Sequence, residues 1–369
     1  MKMMTAARVH EYGKPLVIEE IERPVPRPTD VVVQVKACNL VPNLDNVLNR
    51  FAEWFPWVPL PPLPAVFGLD VAGVVDQVGE LVTDIKAGDR VYVSPLRSCG
   101  CCHNCRIGEP QHCMNGAFQG YFGFVPGAAK LFKAYPNGGM AEYLAAPASS
   151  LIKLADSTTF EQASRFGYIG TAYGALKKAH TGTGKTVIVT GATGTLGVPA
   201  VMLALAMGAS RVFAVARNRS LLERVRALDP VRVHTLSYGD EPVADWVMRH
   251  NDGRGADIYV DALSTGASAQ VAMDTLKALR RGGVAVGIGG LAEPLPIDPA
   301  WFMTSGLSWI GSLWFSTGEG EELAAMAGVG TLDLRQLDEV RFPLSQANEA
   351  LASVAARSSG GFTNVVIVP

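Results

Sequence analysis

The 369-residue sequence lacks any run of the roughly 18 consecutive apolar residues that a membrane-spanning helix needs. The N-terminus also lacks the apolar run of a secretory signal peptide, so we expect a cytoplasmic protein. Charged residues make up only 18% of the chain and the formal net charge is −2, which excludes the basic surface expected for binding nucleic acid or an anionic membrane. Small molecules are therefore the expected partners.

The composition indicates a folded protein of more than one domain. Hydrophobic residues account for 48% of the chain, which excludes extended disorder and supports a large core. Because 369 residues exceed the usual size of one domain, we expect two.

The stretch from Lys185 to Arg219 predicts a dinucleotide-binding unit. A β-branched run over 186–190 has the composition of a buried parallel strand, and a glycine turn follows it directly. An apolar helix over 196–207 and a second strand over 211–216 complete the order strand, turn, helix, strand. Glycines let the backbone approach a pyrophosphate whose charge sits at the helix N-terminus. The predicted cofactor-binding residues of this turn are Gly191, Thr193, Gly194, Thr195 and Leu196.

The end of the second strand indicates which dinucleotide is bound. An NAD-binding unit usually has Asp or Glu at this position, but here Ala216 is followed by Arg217, Asn218 and Arg219. Guanidinium groups pair with a 2′-phosphate, which a carboxylate would repel. We therefore predict that NADP(H) is preferred. The alternative is that both arginines are ordinary solvated charges.

Five of the six cysteines lie between residues 99 and 113. Four thiolates on one small loop can close a tetrahedral zinc site that stabilises the loop and performs no chemistry. Disulfides are the alternative, which a cytoplasmic compartment disfavours. Cys101 is a spare thiol that can compete with Cys102. The predicted ligands of one structural zinc per chain are Cys99, Cys102, Cys105 and Cys113.

Strands and helices alternate after residue 157, which predicts a doubly wound parallel sheet over 158–295. Two helical pieces around 167–170 are expected to precede the cofactor turn. The alternation lapses from Trp301 onward, where we predict a helix over 342–351 and a closing strand over 364–368. Residues 1–157 are predicted to form short strands over 17–20, 31–35 and 71–78, with proline-rich turns between them.

Together these motifs resemble the medium-chain dehydrogenase/reductase superfamily, which includes zinc-type alcohol dehydrogenases and quinone oxidoreductases. The resemblance extends over nearly the whole chain and rests on the segments 68–75, 88–91, 139–143 and 171–176, the four-cysteine lobe and the cofactor turn. It implies an α/β protein with a mostly-β GroES-like catalytic domain (1–157, with a zinc lobe at about 97–114), a Rossmann domain (158–295) and a C-terminal return to the catalytic domain (296–369). It also implies Thr171 as a cofactor contact and a homodimer or homotetramer.

The sequence departs from the zinc-dependent members of this superfamily at all three catalytic-zinc positions. The cysteine position falls near Val41, the histidine has become Leu69 and the third ligand position corresponds to Gly167. A catalytic zinc needs about three protein ligands, so we predict that none is bound. Without a Lewis acid, hydride delivery to an activated double bond is favoured over carbonyl reduction. Tyr168 is the first candidate proton donor, followed by Asp45 and Asp70.

We therefore predict an NADPH-dependent reductase of enones, enals, quinones or enoyl esters. The alternatives are a zinc-free alcohol dehydrogenase or carbonyl reductase acting on a bulky apolar substrate, and a non-enzymatic NADPH-binding protein. A small apolar or aromatic substrate is expected, because many aromatic side chains are available to line a pocket. The candidate aromatic residues are Trp54, Phe55, Trp57, Tyr121, Phe122, Phe124, Trp301, Trp314 and Phe315.

Overall fold

The computed structural model describes residues 2–356 and 360–369 of the chain. The strands in chain order are β1 (Met3–Val9), β2 (Val17–Glu22), β3 (Asp30–Asn39), β4 (Ala65–Val66), β5 (Asp70–Val78), β6 (Arg90–Val93), β7 (Leu96–Arg97), β8 (Ala117–Phe118), β9 (Tyr143–Pro147), β10 (Leu151–Lys153), β11 (Thr186–Thr190), β12 (Arg211–Ala216), β13 (Val233–Ser237), β14 (Ala256–Asp261), β15 (Leu279–Gly287), β16 (Ser308–Gly311), β17 (Asp338–Pro343) and β18 (Thr363–Val368).

The α-helices are α1 (Leu44–Asn49), α2 (Phe51–Trp54), α3 (His103–Arg106), α4 (Ala129–Ala134), α5 (Phe160–Ala163), α6 (Phe166–Lys178), α7 (Gly197–Ala206), α8 (Arg219–Arg226), α9 (Val243–His250), α10 (Ala269–Leu276), α11 (Pro299–Ser305), α12 (Thr317–Val329) and α13 (Ala347–Ala356). None of the helices in residues 2–356 and 360–369 is long and apolar enough to cross a membrane.

The cofactor domain contains a six-stranded sheet in the order β13-β12-β11-β14-β15-β16. Every pairing in this sheet is parallel. Strand β11 lies in the middle of the sheet, and all five of its residues are buried. The order reverses between β11 and β14, which creates a crevice at the carboxyl ends of these strands. The predicted Rossmann sheet is thereby confirmed, and its switch point coincides with the glycine turn.

The parallel sheet extends beyond the expected domain boundary at residue 295. Helix α11 follows a turn in which the Asp298 side chain accepts hydrogen bonds from the backbone of Ala300 and Trp301. Strand β16 then pairs with β15 in parallel register. The predicted lapse of the alternation from Trp301 onward was therefore wrong, because one further helix–strand unit completes the sheet.

Segments from both ends of the chain build the second large sheet, which lies in the predicted catalytic domain. This sheet has the order β10-β6-β5-β3-β18-β17, and β9 also pairs with β3. The C-terminal strand β18 joins this sheet antiparallel to β3, with Ile367 opposite Cys38. The predicted helix over 342–351 begins only at residue 347, because 338–343 forms β17 and pairs with β18.

Helix α6 passes through residues 167–170, where two separate helical pieces were predicted. The actual break lies at residues 164–165, between α5 and α6. The glycines of this segment provide space for close packing, and the helix continues through them. A β-carbon at Gly170 would lie 2.3 Å from Cε1 of Phe315, so only glycine allows the ring to pack here.

We expect the Gly170→Ala variant to lower the free energy of unfolding by about 1–3 kcal/mol, because the added methyl group overpacks the contact with Phe315. A β-carbon at Gly318 in α12 would meet nothing within 4 Å, so Gly318→Ala is the matched control. The control is expected to leave the free energy of unfolding unchanged or to raise it by up to about 1 kcal/mol, because alanine favours a helix over glycine. Chemical denaturation measures both variants, and equal effects would contradict the packing argument.

Candidate active site

The glycine turn after β11 has the close backbone packing that a dinucleotide site requires. Gly191 has a φ of +64°, and a β-carbon there would lie 2.5 Å from the carbonyl oxygen of Ala262. At Gly197 a β-carbon would lie 2.1 Å from the carbonyl oxygen of Gly191. Any larger residue at either position would disrupt the turn and move the N-terminus of α7 away from a bound pyrophosphate.

A cavity of about 560 Å³ opens beside this turn. Gly191, Thr193 and Gly194 form one wall, and the end of β12 with Arg217 and Asn218 forms another. The lining also includes the hydroxyl-bearing residues Tyr238, Ser264 and Ser268. Among the described lining residues none is Asp or Glu. This cavity fits the adenosine half of a dinucleotide, with Arg217 beside the position of the ribose.

The three polar residues after β12 have different surroundings. Arg217 is exposed and lines the cavity. Asn218 also lines it, and its side chain accepts a hydrogen bond from the backbone of Leu221 at 3.0 Å as the N-cap of α8. Arg219 forms an ion pair with Asp240 and is not among the lining residues. Of the two arginines, Arg217 is therefore the one free of a carboxylate partner at the cavity wall.

The remaining predicted cofactor residues are Thr195, Leu196 and Thr171, and only Thr195 is among the described cavity-lining residues. Thr195 lines a second cavity of about 230 Å³, which shares Gly194, Ser264 and Gly360 with the first. Leu196 immediately precedes α7. Thr171 is buried, and its hydroxyl donates to the carbonyl oxygen of Gly167 at 2.8 Å. Thr171 therefore satisfies its hydroxyl within its own helix.

Asp70 is buried next to Gly167 at the start of β5. Its Oδ1 accepts a hydrogen bond of 2.6 Å from the Tyr92 hydroxyl, whereas its Oδ2 has no hydrogen-bond partner. A β-carbon at Gly167 would lie 2.2 Å from Oδ1, so the carboxyl group fills the space that a side chain at 167 would need. Burial raises the pKa of Asp70 to about 7, although Tyr92 and the charge of Arg165 oppose this rise.

The other two predicted proton donors lie in different surroundings. Tyr168 is half-buried on α6, and its ring centroid lies 5.9 Å from the guanidinium carbon of Arg165. Asp45 lies in the first turn of α1, where it accepts a hydrogen bond of 2.8 Å from Asn49. Burial lowers the pKa of Arg165, and the nearby Tyr168 and Asp70 oppose this effect, whereas Asp45 pairs with Asn49.

Arg165 is a site residue that the sequence analysis did not identify. It is 1% exposed and lines the inner cavity. Its guanidinium donates to the carbonyl oxygens of Thr363 at 2.9 Å, Gly361 at 2.8 Å and Thr195 at 3.4 Å. No sequence motif could have identified Arg165 as a site residue. Its partners are backbone carbonyls more than 25 positions away, and any residue type provides a backbone carbonyl.

Most of the predicted aromatic residues pack into one group of rings, part of which is buried in the core. The rings of Phe118 and Trp314 lie 4.5 Å apart, and the Phe122 ring lies 5.8 Å from that of Phe118. Trp301 is separate, since it packs in the cofactor domain against Phe302. Further rings join the group through ring–ring contacts: Phe51, Phe55, Tyr121, Phe124 and Phe315.

Comparisons with known proteins agree with this architecture. Models of an alcohol dehydrogenase GroES-like domain and of a zinc-binding dehydrogenase match residues 27–156 and 195–328. An alcohol dehydrogenase from Geobacillus stearothermophilus is 31% identical over 348 residues, which cover 94% of each chain. The chain belongs to the medium-chain dehydrogenase/reductase superfamily. Its members are oxidoreductases, and the predicted superfamily is confirmed.

Two further relatives in the superfamily carry names that state a cofactor. An NAD-dependent alcohol dehydrogenase from Saccharolobus solfataricus is 28% identical and covers 94% of this chain and 95% of its own. The crystal structure of an NAD-dependent alcohol dehydrogenase superimposes with a TM-score of 0.82 at 28% identity, covering 99% of this chain and 100% of the other.

In this superfamily member, side chains that cannot bind a metal occupy the three positions expected for catalytic-zinc ligands. Val41 and Leu69 are buried aliphatic residues, and Gly167 has no side chain. Among residues 2–356 and 360–369, the one group of three or more His, Cys, Asp or Glu residues close enough to share a metal ion is the four-cysteine group. It consists of Cys99, Cys102, Cys105 and Cys113.

The four-cysteine lobe has the geometry of a closed zinc site. Strands β7 and β8 pair at its base, and its four sulfur atoms lie within 4.8 Å of one another. Cys113 Sγ lies 3.5 Å from Cys99 Sγ, and Cys102 Sγ lies 3.6 Å from Cys105 Sγ. Sulfurs at zinc–sulfur distances of about 2.3 Å are about 3.8 Å apart in a tetrahedron. Cys101 is exposed and outside the group, so it does not replace Cys102.

We expect the Cys102→Ser variant to lose zinc and to unfold at lower temperature, because three sulfurs hold the ion less tightly and the lobe loses its cross-link. Cys101→Ser is the matched control and should keep about one zinc per chain. Metal analysis of protein purified without chelator, together with thermal unfolding, measures both. Equal zinc contents in the two variants would contradict the ligand assignment.

Proposed function

We propose that this protein is an NADPH-dependent reductase that delivers hydride to the activated C=C bond of an enone, enal, quinone or enoyl ester, without a catalytic zinc. The observation that carries this proposal is the replacement of all three catalytic ligand positions by Val41, Leu69 and Gly167. The Asp70 carboxyl fills the space beside Gly167, which supports a reaction centre rebuilt around a carboxyl group.

The proposed reaction needs one hydride and one proton. NADPH, which Gly191, Gly194 and Arg217 would help to hold, would supply the hydride and become NADP⁺. Addition of that hydride to the β-carbon of the substrate would leave an enolate. The protein must place a donor near the enolate oxygen and provide a proton for the product. Tyr168 is the first candidate because it is half-buried beside Gly167. Asp70 can hold a proton near neutral pH, whereas Asp45 is bonded to Asn49.

The preference for NADPH rests on the surroundings of Arg217. Its side chain is exposed at the wall of the adenosine cavity, where a 2′-phosphate would lie, and no acidic side chain is among the described lining residues. A carboxylate there would accept the ribose hydroxyls of NAD, whereas the guanidinium attracts a phosphate.

Reduction of a carbonyl group is the second candidate function. The relatives favour it, because an enzyme named as an alcohol dehydrogenase is 31% identical over almost the whole chain. In a zinc-free site the carbonyl oxygen would depend on hydrogen bonds from Tyr168 or Asp70 for polarisation. In both cases we expect an apolar or aromatic substrate, because a group of aromatic side chains around Phe118 and Trp314 is available beside the proposed reaction centre. We expect a homodimer or homotetramer in both cases.

We expect Arg217→Ala to lower kcat/KM for NADPH about 10-fold or more while leaving kcat/KM for NADH nearly unchanged, because one charged pair with the 2′-phosphate is lost. Arg226→Ala, at an exposed arginine later in α8, is the matched control and should leave both constants unchanged. Steady-state kinetics with the two cofactors measures the difference. Equal efficiency of the unmodified enzyme with NADH and NADPH would contradict the preference.

The function itself is tested by incubating the protein with NADPH and one enone and identifying the product. A saturated ketone is expected, since conjugate hydride delivery leaves the carbonyl intact. An allylic alcohol would support carbonyl reduction. NADPH binding without oxidation across a panel of enones, quinones and aldehydes would contradict both reactions and favour a binding protein.

The same assay tests the proton donor. Tyr168→Phe should lower kcat at least about 10-fold at an unchanged fold, because the hydroxyl that stabilises the enolate is removed. Tyr173→Phe, on the same helix but bonded to Glu322, is the control and should retain activity. A near-normal kcat for Tyr168→Phe would exclude this tyrosine as the donor.

A further inference from the structure

Arg165 connects the cofactor turn, the C-terminal segment and the buried carboxyl of the reaction centre. One guanidinium nitrogen donates to Thr363 O, and the other donates to Gly361 O and Thr195 O. Gly361 in turn donates its backbone N–H to Thr193 O at 2.8 Å. Arg165 therefore contacts the turn that would hold the bridging phosphates in two ways: directly at Thr195 O, and through Gly361, which is hydrogen-bonded to Thr193 O.

The same side chain faces a space next to the turn. Arg165 lines the inner cavity of about 230 Å³ together with Gly194, Thr195 and Gly360. Its Nε is buried and has no hydrogen-bond partner. Asp70 Oδ2 is also buried without a partner. The Asp70 carboxyl packs against Gly167, two residues after Arg165, because a β-carbon at Gly167 would lie 2.2 Å from its Oδ1. Both side chains are buried, and electrostatic interactions between buried groups are stronger than in water.

We propose that Arg165 is a positioning residue through which the bridging phosphates of the bound dinucleotide control whether Asp70 carries a proton. The proposal rests on dinucleotide binding as argued above and adds a coupling between the cofactor turn and the reaction centre. Arg165 donates to a carbonyl group of the turn and lies two residues before Gly167, against which Asp70 packs. Burial raises the pKa of Asp70, and the charge of Arg165 opposes this rise.

Of the described titratable groups around Asp70, Arg165 is the one that carries a charge near pH 7. Besides Arg165, the groups that face Asp70 are Cys38 on β3, Tyr92 on β6 and Tyr121 after β8. Burial raises the pKa of each of these three above its usual value, so all are neutral near pH 7. Burial lowers the pKa of Arg165 to about 10, so the guanidinium remains charged at that pH.

The sign of the coupling follows from these charges. The Arg165 charge opposes the effect of burial on Asp70, whose pKa is about 7. Phosphates placed beside the guanidinium would offset its positive charge, and the pKa of Asp70 would rise. Between the old and the new pKa, Asp70 is ionised before binding and protonated afterwards, so cofactor binding takes up a proton from solution.

Binding calorimetry in buffers of different ionisation enthalpy measures this uptake directly and requires no turnover. For a rise of about one pH unit we expect uptake of about half a proton per chain near pH 7.5. The probes are NADPH and NADH, which share the bridging phosphates. As a control ligand, 2′-AMP lacks those phosphates and should bind without this uptake.

Variants separate the charge of Arg165 from its structural contacts. Asp70→Asn and Arg165→Met should each abolish the uptake, whereas Arg165→Lys should retain it because the charge is kept. Tyr92→Phe provides an independent readout if the first two variants do not fold. It removes the hydrogen bond that lowers the pKa of Asp70, so the pH of maximal uptake should move upward.

The proposal would be overturned if neither dinucleotide binds with proton uptake, if Asp70→Asn leaves the uptake unchanged, or if Tyr92→Phe does not move its pH maximum. Its failure is distinguishable from that of the proposed function. Proton uptake without NADPH oxidation on any substrate would remove the proposed reductase activity and retain the coupling. Reduction of an enone by an enzyme that takes up no proton when it binds the dinucleotide would support the reductase activity and remove the coupling.

Discussion

The close approach of helix α6 to the Asp70 carboxyl is the constraint on which the reaction centre depends. At Gly167 the absence of a side chain makes room for both carboxyl oxygens, and at Gly170 it makes room for the Phe315 ring. The helix can therefore pack tightly from its first turn, where the ring of Tyr168 lies 5.9 Å from the guanidinium carbon of Arg165. A larger residue at Gly167 would overlap the Asp70 carboxyl, and one at Gly170 would overlap the Phe315 ring.

This packing suggests how the superfamily scaffold can work with a different reaction centre. The positions that would hold zinc ligands are occupied by Val41, Leu69 and Gly167, and a buried carboxyl with a raised pKa lies beside them. The four-cysteine lobe is outside this group, closed at its base by β7 and β8. In the proposed function, the cysteine lobe would stabilise a loop, and the buried carboxyl would act in a separate region of the chain.

Much of the fold could be predicted from local patterns. The β-branched run of β11, the glycine turn and the helix after it each have a distinct composition, and the structure has them at nearly the predicted residues. The predictions were wrong where local composition misleads. The glycines within α6 suggest a helix break in the sequence, but in the structure Gly170 makes room for the Phe315 ring and the helix continues. The short β16 can be recognised as a strand only through its pairing with β15.

By itself the sequence determined the superfamily, the order of the domains, the spacing of the four cysteines and the loss of the ligand side chains, because each depends on residue types at fixed separations along the chain. Only the tertiary structure decided which of these residues act together. It placed Arg165 against carbonyl groups of the cofactor turn and the C-terminal segment, put Asp70 in the space left by Gly167 and excluded Cys101 from the sulfur cluster. Such contacts join residues far apart in the chain, and burial changes their charges, so neither effect can be found from composition or spacing.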